Sequence, residues 1–170
     1  NIEVDGKLLV NSGVTPPNFP SLASTTRANS SAGCSIVKWT GNSTSSSASG
    51  TLGHGLNAAP HLIIAKNLDA SVHWRIYHKD NIQNSCPAEQ NMLYFDNGGG
   101  GTGNSYPWNS TAPTSSVFSV SRGSDSVGMI QSGVDYIAYC FAPVDGYSAF
   151  GSYVGNLSNT DGPFVPLGFR

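Results

Sequence analysis

Residues 146–151 read Gly-Tyr-Ser-Ala-Phe-Gly, which begins like the sharp turn that presents a nucleophilic serine. That turn needs a second glycine two places after the serine; Phe150 stands there, and the pattern fails. Glycoside hydrolysis needs two carboxylates held about 5–10 Å apart. The ten acidic residues are scattered singly, and Asp5, Asp145 and Asp161 each precede a glycine, where Asp-Gly is turn chemistry. Of the four histidines, His54 and His61 flank a turn, while His73 and His78 have opposite parity along one stretch and so point to opposite faces of a strand. That spacing speaks against a shared metal ion, although a calcium site of loop carboxylates and carbonyls has no sharp spacing and stays open. The run Gly98–Gly101 lacks the lysine and the strand-to-helix setting of a phosphate loop. No catalytic, cofactor-binding or metal-binding residue is assigned, no cofactor is expected, and the chain is read as non-enzymatic.

One group suits binding. Asn104, Tyr106, Trp108 and Asn109 lie together in "NSYPWNS", where amphipathic rings beside small amides suit stacking and hydrogen bonding to a sugar or a protein surface. The competing reading is that Trp108 folds back as a lid on the core and Pro107 shapes the turn.

Short apolar segments must position these residues. Twenty glycines and ten prolines, without period, punctuate runs rich in Val, Ile, Tyr, Phe and Trp, which is the texture of strands joined by turns. Strands are predicted near 35–40, 61–66, 73–78, 91–95, 116–120, 134–142 and 147–154. "HLIIAK" is apolar throughout and predicts burial on both faces, whereas "HWRIYH" alternates and predicts one face toward solvent. Residues 96–115 are too rich in Gly and Asn to pack a core and read as a functional or mobile loop. The fold class is all-β: an antiparallel sandwich or jelly roll with an irregular N-terminal arm.

Composition narrows the partners. Only 11% of residues are charged and the formal net charge is −2, without a run of Lys or Arg, so nucleic acid is not expected. Fifty residues are Ser, Thr or Asn, against two Glu, which opposes a long-helix protein. No stretch reaches the ~18 apolar residues of a membrane span, and membrane insertion is not expected. The odd count of cysteines excludes complete pairing within one chain. Cys140 shares a strand face with Ala138 and Tyr136, Cys34 also reads as a small core residue, and a Cys34–Cys86 bridge stays open.

An internal echo sets the domain layout. "GCSIVKWTGN" at 33–42 and "GYSAFGSYVGN" at 146–156 share a Gly-x-Ser opening, an aromatic and a Gly-Asn turn, offset by 114 residues at the turn. The expected division is an arm or linker over 1–32, a sandwich over 33–145, and over 146–170 the start of a second, truncated repeat that completes a sheet in the same or a neighbouring subunit. With Asn rather than Met at position 1, this half-repeat is expected to mark a piece of something longer.

The blocks "GCSIVKWTGN", "GHGLNAAPHLIIAKN", "WRIYHK", "WNSTAPTSSVFSV", "DYIAYCFAPVDGYSAFGSYVGN" and "TDGPFVPLGFR" together resemble a repeated domain of tailed-bacteriophage virion proteins, especially of marine and cyanobacterial phages, over roughly residues 28–170. The resemblance implies a β-sandwich similar to concanavalin-like lectin folds. It also implies a structural protein of the particle surface, tail, tail fibre or capsid decoration, extracellular when mature, whose partners are other virion proteins and copies of itself. The alternative is an adhesion module for a host-surface glycan or receptor through Asn104, Tyr106, Trp108 and Asn109. In that setting the Asn-x-Ser/Thr triplets at Asn29, Asn42, Asn109 and Asn156 are products of composition.

Overall fold

The computed structural model describes residues 3–4, 7–8, 19–95, 100–102, 107–123 and 128–166. A hairpin comes first, β1 (Glu3–Val4) with β2 (Lys7–Leu8). The sandwich then follows in chain order as β3 (Ser24–Asn29), β4 (Cys34–Thr40), β5 (Ser49–Gly53), β6 (Leu62–Asn67), β7 (Arg75–His78), β8 (Asn91–Leu93), β9 (Gly100–Thr102), β10 (Val117–Ser121) and β11 (Asp135–Phe141). One turn of 3-10 helix, Ala88–Gln90, precedes β8, and the described residues include no α-helix.

Seven strands form one antiparallel sheet in the order β3-β4-β11-β6-β7-β8-β9; β10 and β5 pair as a second, smaller sheet. The two layers meet as an antiparallel β-sandwich. Alternation decides which side of each strand is buried. In β4, Ser35, Val37 and Trp39 are buried; in β11, Tyr136, Ala138 and Cys140 are. Tyr136 lies directly across from Trp39, and Ala138 from both Val37 and Ala65. The opposite layer contributes Leu52, Phe118 and Val120, and the Trp39 ring meets Phe118 edge-on with centroids 6.1 Å apart. Each such large apolar side chain is worth about 1.5–3 kcal/mol when taken fully out of water.

Several expected boundaries move. The segment expected as an arm enters the fold before residue 33, because β3 pairs with β4 from Ser24 onward and Leu22 lies in the core. Ser21 and Leu22 donate their backbone N–H groups to the Thr51 carbonyl at 3.0 and 3.1 Å, which ties the approach to β3 onto β5. β3, β5 and β9 lie outside every predicted strand, and β3 and β5 show why. β3, Ser-Thr-Thr-Arg-Ala-Asn, is exposed along its length and so carries no apolar alternation; β5, Ser-Gly-Thr-Leu-Gly, hides behind its glycines. Gly50 is needed there, since a Cβ would come within 2.7 Å of the Leu22 side chain.

Other expectations are corrected by packing. Both sides of β7 are covered: Arg75, Ile76 and Tyr77 are all buried. The outward side of β6, Leu62 and Ile64, is only half-buried, so "HLIIAK" is not enclosed on both faces. The 96–115 stretch contributes β9 to the sheet edge and Trp108 to the core, rather than being loop throughout. Cys34 is half-buried beside exposed Ile36, not in the core, and Cys34, Cys86 and Cys140 are all free thiols. Over 147–154 there is no strand; Val144 and Ser148 form a single bridge closing a turn at Gly146, φ +72°.

Candidate interaction site

Toward the Cys34 and Phe141 end of β4 and β11, the outward face of the large sheet is apolar. Cross-strand register places Ile36 beside Tyr139, Cys34 beside Phe141, and then Leu62 beside Phe141 and Ile64 beside Tyr139. β11 therefore alternates between two apolar sets, one buried in the sandwich and one, Ile137, Tyr139 and Phe141, half-covered outside it. At the β3 end this face opens into a groove of about 360 Å³ lined by β3, β4 and β11, with Cys34, Ile36, Tyr139 and Phe141 along its floor. Arg27 is the one charged residue in its lining. At the far end of the same strands Lys38 and Asp135 form an ion pair at 3.0 Å, and the Thr40 hydroxyl donates to Asp135 at 2.6 Å. That hydroxyl first, and Lys38 second, hold the Asp135 carboxyl below its ordinary value.

A C-terminal strap leaves from this face. Phe150 packs on Phe141, with centroids 6.2 Å apart, and edge-on against His61 at 6.5 Å. Beyond it residues 151–166 belong to no strand and are exposed throughout. Tyr153 is 69% exposed, Val154 88%, Leu157 99% and Phe164 90%. Within the strap the Asn156 amide donates to the Asp161 carbonyl at 2.7 Å and the Asp161 N–H donates to the Ser158 hydroxyl at 3.0 Å.

The residues singled out for sugar binding separate. Asn104 and Tyr106 lie outside the described residues. Trp108 is 1% exposed, its ring edge-on to Tyr77 at 5.8 Å within the core, so it offers no platform at the surface. Its position is fixed from β10, where the Ser121 N–H donates to the Pro107 carbonyl at 3.0 Å. Asn109 is exposed in the left-handed region (φ +53°) and lines a polar hollow of about 210 Å³ with Ser46, Ser47, Ser110 and Ser121.

The histidines also disperse. His54 is fully buried, its Nε2 facing the Thr114 carbonyl at 3.1 Å and its Nδ1 accepting the Leu56 N–H at 3.2 Å. With one nitrogen accepting and the other facing a carbonyl, the ring is neutral, and burial lowers its pKa. His73 lies against the Tyr94 ring at 4.9 Å, and His78 accepts the Asp80 N–H at 3.2 Å. Among the described residues no three His, Cys, Asp or Glu side chains cluster, and no helix is long and apolar enough to cross a membrane.

The sequence held one signal for the outer groove that alternation alone would not interpret: "YIAYCF" is apolar at every position, so both faces of β11 had to be apolar.

By class the chain is an all-β protein, a two-layered antiparallel sandwich with an apolar outer groove and an exposed apolar strap. The chain belongs to a family described as a domain of unknown function, DUF7483, whose pattern matches residues 11–170. That range takes in β3, the whole sandwich and the strap. No curated protein and no solved structure matches it.

Proposed function

We propose that this chain is a non-enzymatic structural component of a tailed-bacteriophage virion, in the tail, fibre or capsid decoration, that acts by protein–protein assembly. The observation that carries the assembly part is the strap: five large apolar side chains, Tyr153, Val154, Leu157, Phe164 and Val165, are left in water. Five large exposed apolar side chains within thirteen residues are more than the single scattered ones of an ordinary surface, which supports a binding role. The low charge of the chain agrees, since contacts made by such a strap depend little on salt. The virion setting rests on the resemblance of the sequence blocks. Mass spectrometry of gradient-purified particles of the encoding phage tests it: the chain is expected in fixed stoichiometry with the other structural proteins. Abundance in the lysate together with absence from the particles would defeat the proposal.

Adhesion to a host-surface glycan or receptor is the second reading, and the hollow at Asn109 favours it. Serine hydroxyls and the Asn109 amide line it, and none of the described lining residues is charged, which suits a neutral sugar. Asn109→Ala is then expected to abolish binding to host polysaccharide while particles still assemble. Unchanged binding removes this site.

A further inference from the structure

We infer that the strap of one copy docks on a second copy, lying along the free edge of β3 and seating Tyr153 in the outer groove. The inference rests on the assembly reading and names its partner.

β3 is the terminal strand of the large sheet, and among the described residues no strand pairs with its outer side. Such an edge offers a row of backbone donors and acceptors that an extended chain can extend by one strand. Neither proline nor apolar bulk guards it; Arg27 is its single charge. A strand added there would direct alternate side chains over the outward face, beside Arg27 and Asn29, which stand opposite Ile36 and Cys34. That is where the groove lies.

The strap fits this edge in sequence and in charge. Tyr153-Val154-Gly155-Asn156 repeats the aromatic, spacing and Gly-Asn turn of Trp39-Thr40-Gly41-Asn42, the end of β4, and β4 is the strand that already pairs with β3. From Ala149 to Leu157 the chain holds no proline, so every residue there carries a backbone N–H for pairing; beyond it the Ser158, Thr160 and Asp161 N–H groups bond to the Asn156 and Ser158 side chains. Asp161 is the only charged residue between 146 and 166, and Arg27, the only charge lining the groove, has no ion-pair partner among the described residues.

The second copy, rather than its own groove, receives the strap. Phe150 fixes the start of the strap on Phe141, itself part of the groove floor, yet residues 151–166 run out exposed instead of folding back. Reciprocal exchange between two copies uses both straps and both grooves, and association closes at a two-fold dimer.

Sedimentation velocity of the full chain across a concentration series, with trypsin cleavage after Arg27 followed in parallel, tests this. The expected result is a monomer–dimer equilibrium in which cleavage slows as the dimer fills. Ile36→Glu and Tyr153→Ser, both at exposed positions, are each expected to raise the dissociation constant at least about tenfold with an unchanged thermal midpoint. Arg27→Glu or Asp161→Arg is expected to weaken it about fivefold, and the two together to restore it. A chain that stays monomeric overturns the inference. So does concentration-independent protection of Arg27, which would mean the strap closes on its own groove, and so do species larger than a dimer. A monomer that still enters particles would overturn self-docking alone and leave the assembly reading standing.

Discussion

Trp39 and Tyr136 stack across neighbouring strands β4 and β11, ring centroids 5.4 Å apart and planes within 16°, at the centre of the sandwich. The same indole donates its Nε1–H to the Met129 carbonyl at 2.8 Å, so one side chain joins the large sheet to the loop that follows β10.

That bond separates the two buried tryptophans. The Nε1–H of Trp108 is buried with no partner among the described residues. Replacing Trp39 by Phe strands the Met129 carbonyl, whereas replacing Trp108 by Phe removes an unsatisfied donor. Trp39→Phe is therefore expected to cost about 1–3 kcal/mol more than Trp108→Phe in urea unfolding. Equal losses would show that the bond contributes nothing.

Acid should loosen the fold through His54. Its folded-state pKa lies below the ordinary value of 6.5 because burial disfavours the charged ring, and half-buried His61 is lowered in the same sense, by burial first and by Lys79 second. The unfolded chain takes up a proton near 6.5 where the folded chain resists, so this stability is fully present above that pH and is lost as pH falls toward the lower folded-state values. The slope is at most about 1.4 kcal/mol per pH unit for each histidine. Between pH 7 and 5.5, unfolding free energies should fall, and more shallowly in His54→Gln. Identical slopes in the two proteins would remove His54 as the cause.

Thiol labelling should divide the cysteines. Burial pushes the Cys140 thiol up to about 12, so at pH 8 it is neutral and enclosed. Cys34 and Cys86 are half-buried and free. Iodoacetamide is expected to add two groups to the native protein and a third only after unfolding, read by intact mass. Rapid native labelling of all three would mean that the β11 core face opens readily.

The two Gly-Asn pairs should respond differently to a methyl group. A Cβ on Gly41 would stand 2.2 Å from the Gln131 carbonyl oxygen and 2.5 Å from the Ile130 carbonyl carbon, backbone that cannot step aside. Nothing lies within 4 Å of one on Gly155. Gly41→Ala is expected to cost about 3 kcal/mol or more, and Gly155→Ala to stay within about 0.5. Matching thermal midpoints for the two variants would contradict the close approach at Gly41.

How much was legible in the sequence differs from strand to strand. β4, β6, β10 and β11 were visible because each alternates or concentrates apolar residues over five to seven positions. Cys140 was placed beside Tyr136 and Ala138 by the same two-residue period. Trp108 had two readings, a surface platform and the preferred core lid; its contact with Tyr77, 31 residues away in the chain, leaves it in the core.

By itself the sequence determined an all-β chain and the inward side of its central strands, because a strand's period of two is written in neighbouring residues. Tertiary structure alone decided that polar β3 becomes the open edge, that β5 forms across two glycines, and that Ile36, Tyr139 and Phe141 share a groove while the echo of β4 in the strap stays unpaired. Those outcomes depend on which distant segments lie side by side, and no local pattern carries that information.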